Sequence, residues 1–147
     1  MAQARKSALP ISDVVKNLKK GKILPIYYLF GEDTYNLGLT VKAIEDAVSP
    51  FLISDFDKDV CYSDDRNLQD VINAARAFPF GSEKKLIIYK EAEKVKDKKL
   101  LEPYISSPPD FTVFVLVHNG KITNLTSSPF NVLQENNFLV EAKELKG

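Results

Sequence analysis

The sequence has one cysteine, one histidine, no surplus of either charge and no long apolar run, and each shortage removes a class of protein. Cys61 alone cannot close an internal disulfide. Without a Cys/His cluster no structural zinc site can be assembled, so a reducing compartment is the expected setting. Lys and Arg number 20 against 20 Asp and Glu. Sequence-independent binding along duplex DNA needs a cationic surplus, which leaves at most a local basic patch. No apolar run exceeds that of Val113 to Val117, with Phe111 just before it, which is far short of the ~20 residues that span a bilayer. The first 25 residues are polar and basic, with Arg5, Lys6, Lys16, Lys19, Lys20 and Lys22, and lack the apolar stretch of a signal peptide. Together these features predict a soluble cytoplasmic domain with no membrane partner.

What is present suffices for a core. A chain of 147 residues, 44% of them apolar, fits one domain, and one of this length buries roughly 68–70% of its unfolded surface. Helical and extended signals alternate along it, the pattern of an α/β layered domain with parallel connections. Ile11, Val14, Val15 and Leu18 repeat at helical spacing, and Gly21 ends that helix. Pro25 opens Ile26-Tyr27-Tyr28-Leu29-Phe30, a continuous apolar run of the kind found in strands covered on both faces. Leu37, Val41, Ile44 and Val48 mark a helix from near Thr34 to Ser49-Pro50, and Leu68, Val71, Ile72 and Ala75 mark another. Residues 55–62 alternate as a half-exposed outer strand. Leu86 to Tyr89 and Thr112 to Val117 are two more continuous strands. Between them a Lys-rich helix near 97–105 is weakened by Pro103 unless the proline falls in its first turn. Ser127 or Ser128 can cap a last helix over Val132 and Leu133, and Phe138 to Ala142 is the final strand. The expected inventory is about five strands and five helices in a single domain, without repeats.

In such folds the first strand-to-helix turn commonly holds phosphate, because backbone N–H groups at a helix start attract anions. Here it reads Gly31-Glu32-Asp33-Thr34-Tyr35-Asn36-Leu37-Gly38. A nucleotide P-loop reads Gly-x-x-x-x-Gly-Lys-Ser/Thr, with the lysine on phosphate and the hydroxyl on magnesium. Counted from Gly31, the lysine position is Leu37 and the hydroxyl position Gly38; the other register puts Leu39 at the lysine. Glu32 and Asp33 would also repel a triphosphate. After strand 86–89 stands Lys90-Glu91, a cation where a metal-binding aspartate would be. The loop has the layout of a P-loop with its chemistry removed, and no nucleotide, metal or cofactor is expected there.

Other constellations read as structural. Asp55, Asp57 and Asp59 resemble the start of a calcium loop, but Val60 stands where glycine is needed and Arg66 where the bidentate glutamate belongs. On a strand they share one face, a solvated edge that discourages strand addition. His118 and Cys61 have no visible partner, and Lys94, Lys96, Lys98 and Lys99 are the wet face of a helix or a local contact for a phosphate backbone. Ala77-Phe78-Pro79-Phe80-Gly81 is different: it leaves two phenylalanines on a connection that should run over the surface. Spacing alone allows either burial of these rings under the sheet edge or an exposed protein-binding anchor.

Three strings, Pro25 to Tyr35, Asn73 to Ile88 and Glu91 to Val95, closely resemble the N-terminal domain of the delta subunit of bacterial DNA polymerase III, the sliding-clamp opener of the clamp loader. The resemblance covers nearly the whole chain and is weakest after Lys121. It implies an AAA+-like P-loop NTPase fold of three layers, with about five strands and a degenerate nucleotide site at Gly31, Leu37 and Gly38. It implies that the tip carries a hydrophobic pair that plugs into a clamp pocket: by position Pro79 and Phe80, flanked by Phe78. Proline stands where some members have leucine, so Phe80 should supply most of the anchor. The implied role is non-catalytic, clamp binding and opening within the DNA-directed DNA polymerase holoenzyme, a nucleotidyltransferase. The implied partners are the beta subunit clamp and the other loader subunits, with DNA met only through the assembled complex. Delta subunits continue into a lid domain and a C-terminal collar, which are not found before the end at Glu144-Leu145-Lys146-Gly147, so the chain is expected to be the clamp-facing piece of a longer subunit. A divergent P-loop ATPase and a direct DNA-binding module are the alternatives.

Overall fold

A computed structural model describes residues 8–142; Arg5, Lys6 and residues 144–147 lie outside the described residues. Strands β1 (Leu9–Pro10), β2 (Ile26–Gly31), β3 (Lys58–Tyr62), β4 (Lys85–Lys90), β5 (Thr112–Asn119) and β6 (Leu139–Ala142) form one sheet in the order β1-β6-β2-β5-β4-β3. Every strand pairing is parallel. The sixth strand, beyond the expected five, is β1, whose two residues pair with Val140 and Glu141. Two residues are too few to carry a periodicity.

Helices α1 (Ile11–Lys19) and α2 (Thr34–Val48) cover one face of the sheet, and α3 (Leu68–Arg76), α4 (Glu102–Ser106) and α5 (Phe130–Glu135) the other. Side chains alternate along a strand, so β2 feeds both layers. Tyr27 and Leu29 pack with Val14, Leu18, Leu37, Ile44 and Val48. Ile26, Tyr28 and Phe30 pack with Leu68, Val71, Ile72, Ala75, Tyr104 and Leu133. That is why β2, β4 and β5 read as unbroken apolar runs, while β3, at the sheet edge, alternates between exposed and buried positions. Each large apolar side chain so covered contributes roughly 1.5–3 kcal/mol.

Three local expectations change. Residues Asp55–Asp57 form a 3-10 turn capped by the Ser54 hydroxyl, so the outer strand begins only at Lys58. The Lys-rich segment is a 3-10 turn, Lys98–Leu101, running into α4, and Pro103 sits in the first turn of α4, where its missing N–H costs nothing. Neither serine caps α5. The N-cap residue is Pro129, the Ser127 hydroxyl donates to the Asn124 carbonyl, and the Ser128 hydroxyl donates to the Glu102 carboxylate.

Candidate functional site

The connection from α3 to β4 exposes both of its phenylalanines. Phe78 is 78% and Phe80 70% exposed, so neither ring is buried under the sheet edge, and Pro79 between them is half-buried. Phe56, 79% exposed in the preceding 3-10 turn, lies 5.9 Å from Phe80 between ring centroids, and Phe78 lies 5.0 Å from Phe111. With exposed Ile53 nearby in sequence, these rings make up an apolar tip at the N-terminal end of β4 and β5.

The tip is held from beneath by polar groups. Asp57, fully buried, accepts the Phe80 N–H at 2.6 Å on Oδ1 and the Ser82 N–H at 3.3 Å on Oδ2. The Ser82 hydroxyl accepts the N–H groups of Ile53 at 2.7 Å and Ser54 at 3.1 Å and hydrogen-bonds the Asp57 carboxylate. Gly81, at φ +95°, takes the left-handed turn that lets its two neighbours address one carboxylate. Burial alone would raise the Asp57 carboxyl, but the Phe80 and Ser82 hydrogen bonds and the Lys85 ammonium outweigh it and hold the group below the usual carboxylate range. Burial in turn lowers the Lys85 ammonium, against the pull of Asp57 and Asp59.

Lys85 and Thr112 finish the support. The last carbonyls of a helix have no partner within it. Lys85 Nζ donates to those of Ala74 (2.6 Å) and Ala77 (3.1 Å), and Thr112 Oγ1 donates to Ala75 (2.6 Å). Asp55, Asp57 and Asp59 therefore do not share a solvated strand face: Asp57 is buried and Asp59 pairs with Arg66 at 2.6 Å. Among the described residues no group of three or more His, Cys, Asp or Glu is placed to hold a metal ion. Sequence reasoning missed Asp57, Ser82, Lys85 and Phe56. Asp57 meets its partners across 23 and 25 residues, a separation that leaves no local signal.

The phosphate-loop residues lie at the opposite, C-terminal end of the sheet. Gly31, at φ +144°, ends β2 so close to β6 that an added Cβ would stand 2.1 Å from the Ala142 carbonyl oxygen. Leu37 is buried in the core and presents no cation. Gly38 lines a cleft of about 450 Å³ with Thr34, Tyr62, Lys90, Glu91 and Asn119. Asp33 already occupies the start of α2, its carboxylate accepting the Asn36 N–H at 3.1 Å. Lys90 lies over the Tyr62 ring, and Glu91, left-handed at φ 60°, pairs with Lys94.

The remaining candidates separate. Cys61 on β3 and His118 on β5 are kept apart by β4, and His118 Nδ1 and the Tyr28 hydroxyl are hydrogen-bonded at 2.7 Å. Burial, with Lys98 assisting, brings His118 down to about 4. The basic run is not one helix face: Lys94 pairs with Glu91 and Asp64, and Lys98 donates to the Glu93 and Val95 carbonyls.

A family model described as DNA polymerase III, delta subunit, matches residues 27–143. The chain belongs to this family. Over 145 residues it is 37% identical to DNA polymerase III subunit delta of Bacillus subtilis (strain 168), an alignment covering 92% of this chain and 42% of that protein. Its fold is similar to that of the Bacillus subtilis DNA clamp loader delta protein, with a TM-score of 0.78 and 34% identity over 92% of this chain and 43% of the other. A DNA polymerase III gamma subunit-related protein of Thermotoga maritima shares the fold at a TM-score of 0.57 and 13% identity, covering 93% of this chain and 46% of its own. The chain thus spans less than half the length of these relatives. Its family is the clamp-loader delta subunit family of DNA replication, a component of the polymerase III holoenzyme. Among the described residues no helix is long and apolar enough to cross a membrane.

Proposed function

We propose that this domain docks on the sliding clamp, the beta subunit of DNA polymerase III, and helps to open it without hydrolysing ATP. The observation that carries the reading is the pair of exposed rings, Phe78 and Phe80, presented on a hydrogen-bonded turn by a member of the delta family. Phe80 is the central anchor, with Pro79 and Phe78 beside it. Burying one phenylalanine stabilises a complex by roughly 1.5–3 kcal/mol, too little for a stable interface alone, so Phe56 and Ile53 next to the tip add area. Docking favours an opened or distorted ring only where the contacts on that ring are better than on the closed one. Other loader subunits are partners of the same assembly, and DNA is reached through it.

The fold is read as AAA+-like with its phosphate loop, Gly31, Leu37 and Gly38, out of use. Leucine at the lysine position, Asp33 on the helix start and Lys90 at the metal position each oppose Mg-ATP. The tip and the cleft also stand at opposite ends of β4. At roughly 3.3 Å per residue its six residues separate them by about 16–20 Å, so docking needs no nucleotide contact.

The test is a pull-down or calorimetric titration with the clamp. Phe80→Ala should weaken binding about ten- to a hundredfold with little change in the thermal melt; unaltered binding contradicts the assignment of the anchor. Millimolar Mg-ATP should give no saturable heat, whereas clear saturable binding favours a divergent P-loop ATPase.

A further inference from the structure

The exposed tip is aromatic, but its conformation is set by a group that solvent does not reach. We infer that Asp57 is the positioning residue of the tip: its buried carboxylate fixes the backbone of Phe80 and Ser82 and so aims the Phe80 ring at the clamp. The inference rests on the docking reading above and goes beyond it by naming what shapes the anchor before the clamp arrives.

Three observations carry it. First, both carboxylate oxygens are spent on the tip backbone, Oδ1 on Phe80 and Oδ2 on Ser82, the residues either side of Gly81. Gly81 between them stands at φ +95°, the left-handed conformation that brings both N–H groups onto the one carboxylate. Second, Ser82 ties the same turn to the 53–54 backbone through its hydroxyl, which joins the two chain segments that carry Phe56 and Phe80. Third, a carboxylate buried among apolar neighbours is costly unless paired and fully hydrogen-bonded. Two tip amides and the Ser82 hydroxyl, with the attraction of the Lys85 ammonium behind them, offset that cost, and both amides belong to the tip itself. A tip held in its bound shape loses less entropy on docking.

The test compares wild type, Asp57→Asn, Ser82→Ala and Phe80→Ala as the full 147-residue chain, by amide hydrogen exchange and NMR and by titration with the clamp. Asn keeps the shape of Asp57 but turns one acceptor into a donor that faces an N–H. Exchange at the Phe80 and Ser82 amides should accelerate about tenfold or more in Asp57→Asn, and clamp affinity should fall about tenfold, while amides of β5 stay as protected as in wild type. In wild type the Phe80 amide proton, deshielded by the carboxylate, should move upfield on acidification below the usual carboxylate range, a titration absent from Asp57→Asn. Should Asp57→Asn fail to fold, Ser82→Ala and the wild-type titration still decide. Unchanged exchange and no titration at Phe80 overturn the inference whatever the clamp does. A loosened tip with undiminished clamp affinity overturns it too, provided that Phe80→Ala weakens binding. If Phe80→Ala leaves binding intact, the docking reading falls, and with it the aiming role of Asp57, while the exchange data still separate that failure from a tip that Asp57 does not hold.

Discussion

Lys85 Nζ donates to the Ala74 carbonyl at 2.6 Å, so the strand that follows the tip closes the helix that precedes it. One buried ammonium thereby serves the open end of α3 and the Ala77 carbonyl at the base of the tip, and its charge favours the Asp57 carboxylate. Lys85→Met keeps the length of the side chain and removes both hydrogen bonds and the favourable charge. The two carbonyls lose a donor and the carboxylate a favourable charge, which should cost about 2–3 kcal/mol and lower the melting temperature by about 5–10 °C. Differential scanning calorimetry checks it; an unchanged melt contradicts the assignment of Lys85 as the closing group.

His118 makes the fold sensitive to mild acid. Its ring, packed against Tyr28 and Phe130, is held near pKa 4 by burial first and by Lys98 second, with Glu93 and the Lys121 backbone opposing. An unfolded histidine titrates near about 6.5. The folded value lies below the unfolded one, so the unfolded state takes up the proton first. The stability contributed is complete above about 6.5 and is lost as pH falls from there through about 4. Unfolding free energies from urea titrations at pH 7 and pH 4.5 should differ by about 2–3 kcal/mol more in wild type than in His118→Gln. Equal differences in the two proteins would show that His118 is not the group that titrates.

The layers of this domain were legible because burial on both faces writes itself into the chain. Ile26 to Phe30, Leu86 to Tyr89 and Thr112 to Val117 are apolar without interruption, and they are the three neighbouring central strands β2, β4 and β5. The exposed rings of Phe78 and Phe80 were visible as apolar residues on a connection, though spacing could not decide whether they were covered. What holds them was not visible. Asp57 looked like one acid of an alternating edge, and only the return of the chain 23 residues later gives its carboxylate the Phe80 amide. Leu9–Pro10 escaped for the reverse reason: a strand of two residues has no pattern, and its place at the edge is fixed by pairing with Val140 and Glu141.

Gly31 is required by the approach of β6. A methyl group there would meet the Ala142 carbonyl oxygen at 2.1 Å, backbone that cannot swing away, and the φ of +144° excludes ordinary side chains as well. Gly31→Ala should therefore destabilise the chain by about 2–4 kcal/mol, read from the urea midpoint. The effect is on packing of β2 against β6 and is independent of any nucleotide. An equal loss with and without Mg-ATP is the expected outcome; stabilisation by Mg-ATP in wild type but not in the variant would return a ligand role to the loop.

Phe56 and Phe80 come from different segments yet meet at 5.9 Å, tilted by 57°, so their contributions to docking should not be independent. Each is mostly exposed, and each presents a face that only a partner can cover. If the clamp covers them as one surface, Phe56→Ala alone weakens binding by exposing one flank of Phe80, and after Phe80→Ala the Phe56 change has less left to remove. A double-mutant cycle on clamp affinity should give a coupling of about 0.5–1.5 kcal/mol, in the range of aromatic pairs in contact. Melting temperatures of the two single variants should stay within about 2 °C of wild type, since neither ring is part of the core. Strict additivity would mean that the clamp reads Phe80 alone and that Phe56 is a bystander. A coupling accompanied by a large fall in melting temperature would place the pair in the fold rather than in the interface.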